Sequence, residues 1–180
     1  MDQKNVVDDI IQSVQTNQGK CFFIDGPGGS GKTFVYNTIY HMLRARRKII
    51  KCVAWTGIAA NLLPEGRTVH STFKLMISND NKSSSMKRQT KEAQNLKITD
   101  IIIWDEAPMA PKQSLEAIDG LLKDIMQNDQ PFGGKTMVLG GDFRQILPVV
   151  VNGSRWEQVN ACLKKSHLWP LFNQYRLQTN

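Results

Sequence analysis

Nowhere in these 180 residues does an apolar run approach the roughly 18 residues that cross a bilayer, so no membrane contact is expected. Met1-Asp2-Gln3-Lys4 lacks the character of a signal peptide, which points to an intracellular protein. Cysteine is scarce. The three present, Cys21, Cys52 and Cys162, have no paired spacing, which excludes a disulfide framework and a thiolate zinc site and suits a reducing compartment. Acidic residues are also few, 16 against 23 Lys and Arg, for a net charge of +7. That balance is compatible with a polyanionic partner, but many proteins that bind no nucleic acid share it. Internal repeats and inter-domain linkers are missing too, so 1–180 reads as one domain with an ordinary core.

What is present is concentrated in one motif. Gly26-Pro27-Gly28-Gly29-Ser30-Gly31-Lys32-Thr33 is a complete G-x-x-x-x-G-K-T phosphate loop. Cys21–Ile24 before it reads as a buried strand, and Phe34–Leu43 after it carries apolar residues at helical spacing. A chain that turns through glycines into a helix start offers backbone N–H groups and the positive helix end to a polyphosphate. A Cβ would obstruct that wrapping, which is why glycine recurs there. Pro27, Gly28, Gly29, Ser30 and Gly31 are therefore expected to cradle phosphates, with Lys32 near the outer ones. The Thr33 hydroxyl is expected to complete a Mg²⁺ shell.

The remaining elements alternate. Helical spacing of Val6, Val7, Ile10, Ile11 and Val14 predicts a helix from about Gln3 to Thr16. Strands are expected at Lys20–Asp25, Ile49–Ala54, Asp100–Trp104 and Lys135–Leu139, with a helix through Leu115–Met126. Alternation of this kind predicts an α/β fold: a mostly parallel sheet with helices on both faces. The serine-rich, aperiodic segment 78–92 is expected to be a mobile surface loop. Its Lys82, Lys87, Arg88 and Lys91 read first as solvated charges and second as phosphate contacts.

Two more strand ends bear polar groups. Ile101–Trp104 runs into Asp105 and Glu106, and ligands collect at the carboxyl ends of parallel strands. Asp105 is expected to hold Mg²⁺, and Glu106 to polarise an attacking water. After Leu139 comes Gly140-Gly141-Asp142-Phe143-Arg144-Gln145. Gln145 is the choice for sensing the γ-phosphate. Arg144 could serve instead, or contact nucleic acid, and sequence does not separate the two.

Residues 22–33 (FFIDGPGGSGKT), 53–75 (VAWTGIAANLLPEGRTVHSTFKL), 101–109 (IIIWDEAPM) and 139–150 (LGGDFRQILPVV) together resemble the petite-integration-frequency (Pif) DNA helicases, within the RecD-like superfamily-one helicases. The likeness is greatest to the Helitron-related branch, because the familiar Asp-Glu-Ile-Ser-Met is here Asp105-Glu106-Ala107-Pro108-Met109. The resemblance implies a RecA-like P-loop NTPase core and ATP-driven movement on single-stranded DNA with 5′-to-3′ unwinding. It also implies work in repair, recombination and telomere maintenance, in the nucleus or alternatively the mitochondrion. By the same resemblance Gln3 would read adenine, for which an amide has the matching donor and acceptor. Thr56 and Gly57, then His70 and Ser71, would touch the DNA strand, and Phe73 is a weaker candidate for base stacking.

The reading that follows is the first motor domain of a helicase, acting as a monomer on ATP and single-stranded DNA, with ADP as product. The chain stops where relatives continue into a second RecA-like domain carrying an arginine finger, so it is expected to hydrolyse ATP slowly and to unwind nothing by itself. One alternative is another P-loop ATPase, of AAA or recombinase type. The other is a nucleic-acid-binding module with a vestigial nucleotide pocket.

Overall fold

A computed structural model of the chain describes residues 3–76, 84–145 and 154–178. Helix α1 (Gln3–Gln15) leads to β1 (Cys21–Asp25), the phosphate loop and α2 (Lys32–Ala45). β2 (Ile50–Ala54), α3 (Gly57–Asn61), the two-residue β3 (Arg67–Thr68) and α4 (Val69–Phe73) follow. Then come α5 (Lys91–Lys97), β4 (Ile101–Asp105), α6 (Lys112–Met126), β5 (Thr136–Gly141), α7 (Arg155–Ala161) and β6 (Phe172–Arg176).

The six strands make one sheet, ordered β3-β2-β4-β5-β1-β6, and every pairing is parallel. Both faces are covered, so strands read as unbroken apolar runs rather than alternating ones. Cys21, Phe23, Ile102, Trp104, Met137 and Leu139 pack on one face with Leu115, Ile118 and Leu122 of α6. Phe22, Ile24, Ile101, Ile103 and Val138 pack on the other with Val6 and Ile10 of α1 and Val35 and Ile39 of α2. All three cysteines are buried and free. Burial pushes the Cys21 and Cys52 thiols up to about 12, which makes them inert packing groups.

Parallel strands have a single carboxyl edge. Along it lie, in spatial order, the chain leaving β3 into α4, the chain leaving β2 into α3, Asp105-Glu106 after β4, Asp142–Gln145 after β5, and the phosphate loop after β1. β5 sits between β4 and β1, which separates the acids from the phosphate loop by two strand spacings, about 10 Å.

The segment 78–92, expected to be a mobile surface loop, falls only partly among the described residues. Residues 78–83 lie outside the described ones, as do 146–150 at the end of the fourth motif. Ser84 bridges antiparallel to Leu75, and the Thr90 hydroxyl accepts from Ala93 N–H to cap α5, which starts inside the segment expected to be a loop. Arg88 in that segment pairs with Asp124 at 3.4 Å.

Candidate nucleotide and nucleic-acid site

At the carboxyl edge opens a cleft of about 440 Å³ lined by Gly28, Gly29, Gly31, Lys32 and Thr33 on one side. Asp105, Glu106, Pro108 and Met109 face them, with Gly141, Asp142 and Gln145 closing the floor and rim. Residues about 75 positions apart in sequence thus share one concavity. Pro27 and Ser30 belong to the loop but do not line the cleft; Ser30 N–H donates to Pro27 O at 3.2 Å, and the Ser30 side chain is buried beneath the loop.

Gly29 and Gly31 have φ of 77° and 87°, a region that L-residues with a side chain seldom enter. At Gly31 a Cβ would also run into the Gln3 amide. That contact ties α1 to the loop, because Gln3 Nε2 donates to Ser30 O at 3.3 Å. Gln3 therefore stands beside the phosphate loop, 27 residues from it in sequence. Lys32 Nζ donates to Gly26 O at 2.6 Å and Pro27 O at 3.0 Å. An incoming phosphate would exchange these neutral acceptors for charged ones, which hydrogen-bond about twice as strongly.

Asp105 ends β4 half-buried. Desolvation, helped slightly by the Glu106 charge, holds its carboxyl above the usual range, while the Glu106 N–H, the Tyr36 hydroxyl and Lys32 pull it back. Tyr36 Oη donates to Asp105 Oδ1 at 3.2 Å from a fully buried ring on α2, one turn beyond Thr33. Sequence reading had no means of finding Tyr36, which looked like one more apolar position of α2. Thr33, exposed at the cleft, and Asp105 are hard oxygen donors of the kind Mg²⁺ takes, the remaining positions going to water and phosphate. A half-buried carboxylate whose desolvation outweighs its hydrogen bonds and the Lys32 charge fits that cation. Among the described residues no group of three or more His, Cys, Asp or Glu could hold a metal ion.

Glu106 adopts φ 55°, and it is the one cleft residue among the described non-glycine positions with positive φ. Its Oε2 accepts from the Thr56 hydroxyl at 2.8 Å. Thr56 also caps α3 by accepting from Ala59 N–H at 3.2 Å. Next to it Gly57 opens α3 in an exposed position. The register Ala54↔Thr68 sets the ends of β2 and β3 side by side, and the His70 ring lies 4.6 Å from that of Trp55. Ser71 is exposed, its N–H bonded to Thr68 Oγ1 and its hydroxyl to Thr68 O. Phe73 is different: it is fully buried in the core and cannot reach a base.

On the floor, Asp142 accepts from Arg144 Nε at 2.8 Å and Nη2 at 3.3 Å. The Arg144 hydrogen bonds hold the Asp142 carboxyl below its usual range. Arg144 is thereby tied to its own loop, whereas Gln145 lines the cleft.

The family model for "PIF1-like helicase" matches residues 1–180. The chain is 40% identical over 144 residues to the ATP-dependent DNA helicase Pif1 of a Psychrobacter species, covering 77% of this chain and 21% of that protein. It superposes on the crystal structure of Pif1 helicase from Candida albicans with a TM-score of 0.78 at 26% identity, over 97% of this chain and 38% of that one. The Bacteroides Pif1 helicase in complex with ADP-AlF3 and single-stranded DNA gives a TM-score of 0.80 at 24% identity, over 99% and 42% of the two chains, which speaks to fold. The chain thus spans about a fifth of its Psychrobacter relative and under half of these solved structures. Sheet order, phosphate loop, facing acids and a match along its entire length agree: the chain belongs to the PIF1-like helicase family.

Proposed function

We propose that residues 1–180 form an ATP-hydrolysing motor domain of a DNA helicase, binding Mg-ATP in the cleft and single-stranded DNA along the α3–α4 edge. One observation carries the reading: the phosphate loop and the acid pair line a single cleft, and Glu106 is bonded to the neighbouring α3. Backbone N–H groups of Gly28–Gly31 and the Lys32 ammonium would bind the β- and γ-phosphates and stabilise charge as the γ-phosphoryl leaves. Thr33 and Asp105 would hold the bound Mg²⁺, which neutralises phosphate charge. Glu106 would take a proton from water aligned with the γ-phosphorus. Gln145 would contact the γ-phosphate from the floor, and Gln3 would pair with the base beside the loop. Thr56, Gly57, His70 and Ser71 would follow the strand's backbone, as suits hydroxyl and N–H donors.

ADP-AlF3 and single-stranded DNA are the ligands of the Bacteroides relative, and the Psychrobacter relative is an ATP-dependent DNA helicase. Both support this assignment. The test is phosphate release from Mg-ATP with and without single-stranded DNA, for wild type and Lys32→Ala. DNA-stimulated release, lost in Lys32→Ala, is the expected result. Turnover that survives Lys32→Ala would overturn the assignment.

A further inference from the structure

We propose that Thr56 is a latch on Glu106 that single-stranded DNA opens, making this one hydroxyl the coupling between strand binding and hydrolysis. The inference rests on the nucleotide and DNA roles just proposed and adds a regulatory device to them. It follows from the number of hydrogen atoms on Oγ1. Thr56 has a single O–H, and that proton is given to Glu106 Oε2 at 2.8 Å. A lone pair on the same oxygen is taken by Ala59 N–H at 3.2 Å, which anchors the hydroxyl at the start of α3. A DNA phosphate offers only acceptors. For the Thr56 hydroxyl to bond a phosphate, it must release Glu106; the two partners compete for one proton.

The position of the pair makes that competition consequential. β2 and β4 are neighbours with Ala54 opposite Asp105, so Thr56 and Glu106 follow equivalent strand ends. Glu106 lines the nucleotide cleft, while Gly57, which follows Thr56 in the chain, is exposed and does not line it. A carboxylate held by that hydroxyl is turned toward the start of α3 and is not free to follow a water in the cleft. Released, it regains the freedom to orient water. Coupling of this form is reciprocal: whatever favours the released Glu106 at the nucleotide must favour DNA at Thr56 by the same factor.

The experiment uses the whole chain with Thr56→Val, which keeps the β-branched shape but lacks the hydroxyl, and Thr56→Ser, which keeps it. ATP turnover is measured with and without an oligo-dT strand. Affinity for the fluorescent strand is measured with and without Mg-ADP-aluminium fluoride. Thr56→Val is expected to raise turnover without DNA by roughly tenfold or more, the scale of one charge-assisted hydrogen bond. Its stimulation by DNA, and the effect of nucleotide on DNA affinity, should both fall to near one. Thr56→Ser should restore wild-type ratios. Loss of the cap alone would lower the melting temperature and leave both ratios at the wild-type value, which overturns the latch. So would a variant that merely needs more DNA to reach the wild-type ratio. A wild type that neither binds the strand nor hydrolyses ATP removes the functional assignment itself, and the latch with it.

Discussion

Asp105 and Glu106 are adjacent, yet their surroundings give them different work. Asp105 is the last residue of β4, gripped by Tyr36 and desolvated, so it gains most from a cation. Glu106 has turned into the left-handed region and points its carboxylate across the cleft edge to Thr56. Replacing Glu106 by Gln keeps the shape and removes the base. Turnover should fall by about 10²–10⁴ while nucleotide affinity stays within about twofold, measured by phosphate release and equilibrium binding. A Gln variant that hydrolyses at the wild-type rate would assign the base elsewhere. Gly31 belongs to the same scale: its φ of 87° and the Gln3 amide against it leave no room for a methyl group. Gly31 is legible in sequence because the phosphate loop is local, and the acids because they end an apolar strand. The Thr56–Glu106 bond is not, since 50 residues separate its ends and only the sheet register brings them together.

Among elements, β5 shows how the same residues mean different things in sequence and in space. Gly140-Gly141 looks like a turn after Leu139, but both glycines are strand residues and both are buried. They are small because other groups pass over them: the Tyr36 hydroxyl against Gly140 and the Pro108 ring against Gly141. Tyr36 in turn holds Asp105, so the strand's glycines position a cleft carboxylate indirectly. Gly140→Ala should cost about 1–3 kcal/mol through overpacking, or ~2–4 °C in melting temperature per kcal/mol. Tyr36→Phe should cost about 1 kcal/mol, and in the double variant the two losses should be less than additive, since removing the hydroxyl relieves part of the collision. Strict additivity in thermal melts would show that the two residues do not meet. The strands missed in sequence are the edge ones. β3 is only two residues long, and β6 reads Phe-Asn-Gln-Tyr-Arg with three exposed positions, so neither carries the apolar run that marks a central strand.

Across the whole molecule the two sheet edges differ in purpose. The carboxyl edge carries the cleft and the α3–α4 surface; the opposite edge is structural. There Lys135 is buried at the start of β5, donating to Thr99 O at 2.7 Å and Lys97 O at 3.0 Å. Burial pulls its ammonium down to about 8, partly offset by the Asp100 charge. Between that value and the ordinary 10.5 the unfolded chain holds a proton that the folded one has released, so this residue's contribution to stability rises with pH over that window. Urea unfolding of wild type and Lys135→Met should therefore show the difference shifting in favour of wild type from pH 8 to pH 10. A pH-independent difference would mean Lys135 stays charged. Alternation of buried strands and amphipathic helices made this architecture readable in advance, because a doubly covered parallel sheet imposes it on every strand. The insertion of β5 between β4 and β1, which sets the width of the cleft, depends on pairings that no local pattern encodes.

In the proposed function the phosphate loop and the acids at the end of β4 grip one magnesium–triphosphate between them. Calorimetric titration of ATP into wild type, Lys32→Ala and Asp105→Asn, each with Mg²⁺ and with EDTA, tests it most directly. Wild type should bind in a Mg²⁺-dependent manner, Lys32→Ala should lose roughly 10–100-fold in affinity, the worth of a charged hydrogen bond, and Asp105→Asn should lose the response to Mg²⁺. Equal affinities for all three proteins, with and without the metal, would contradict it.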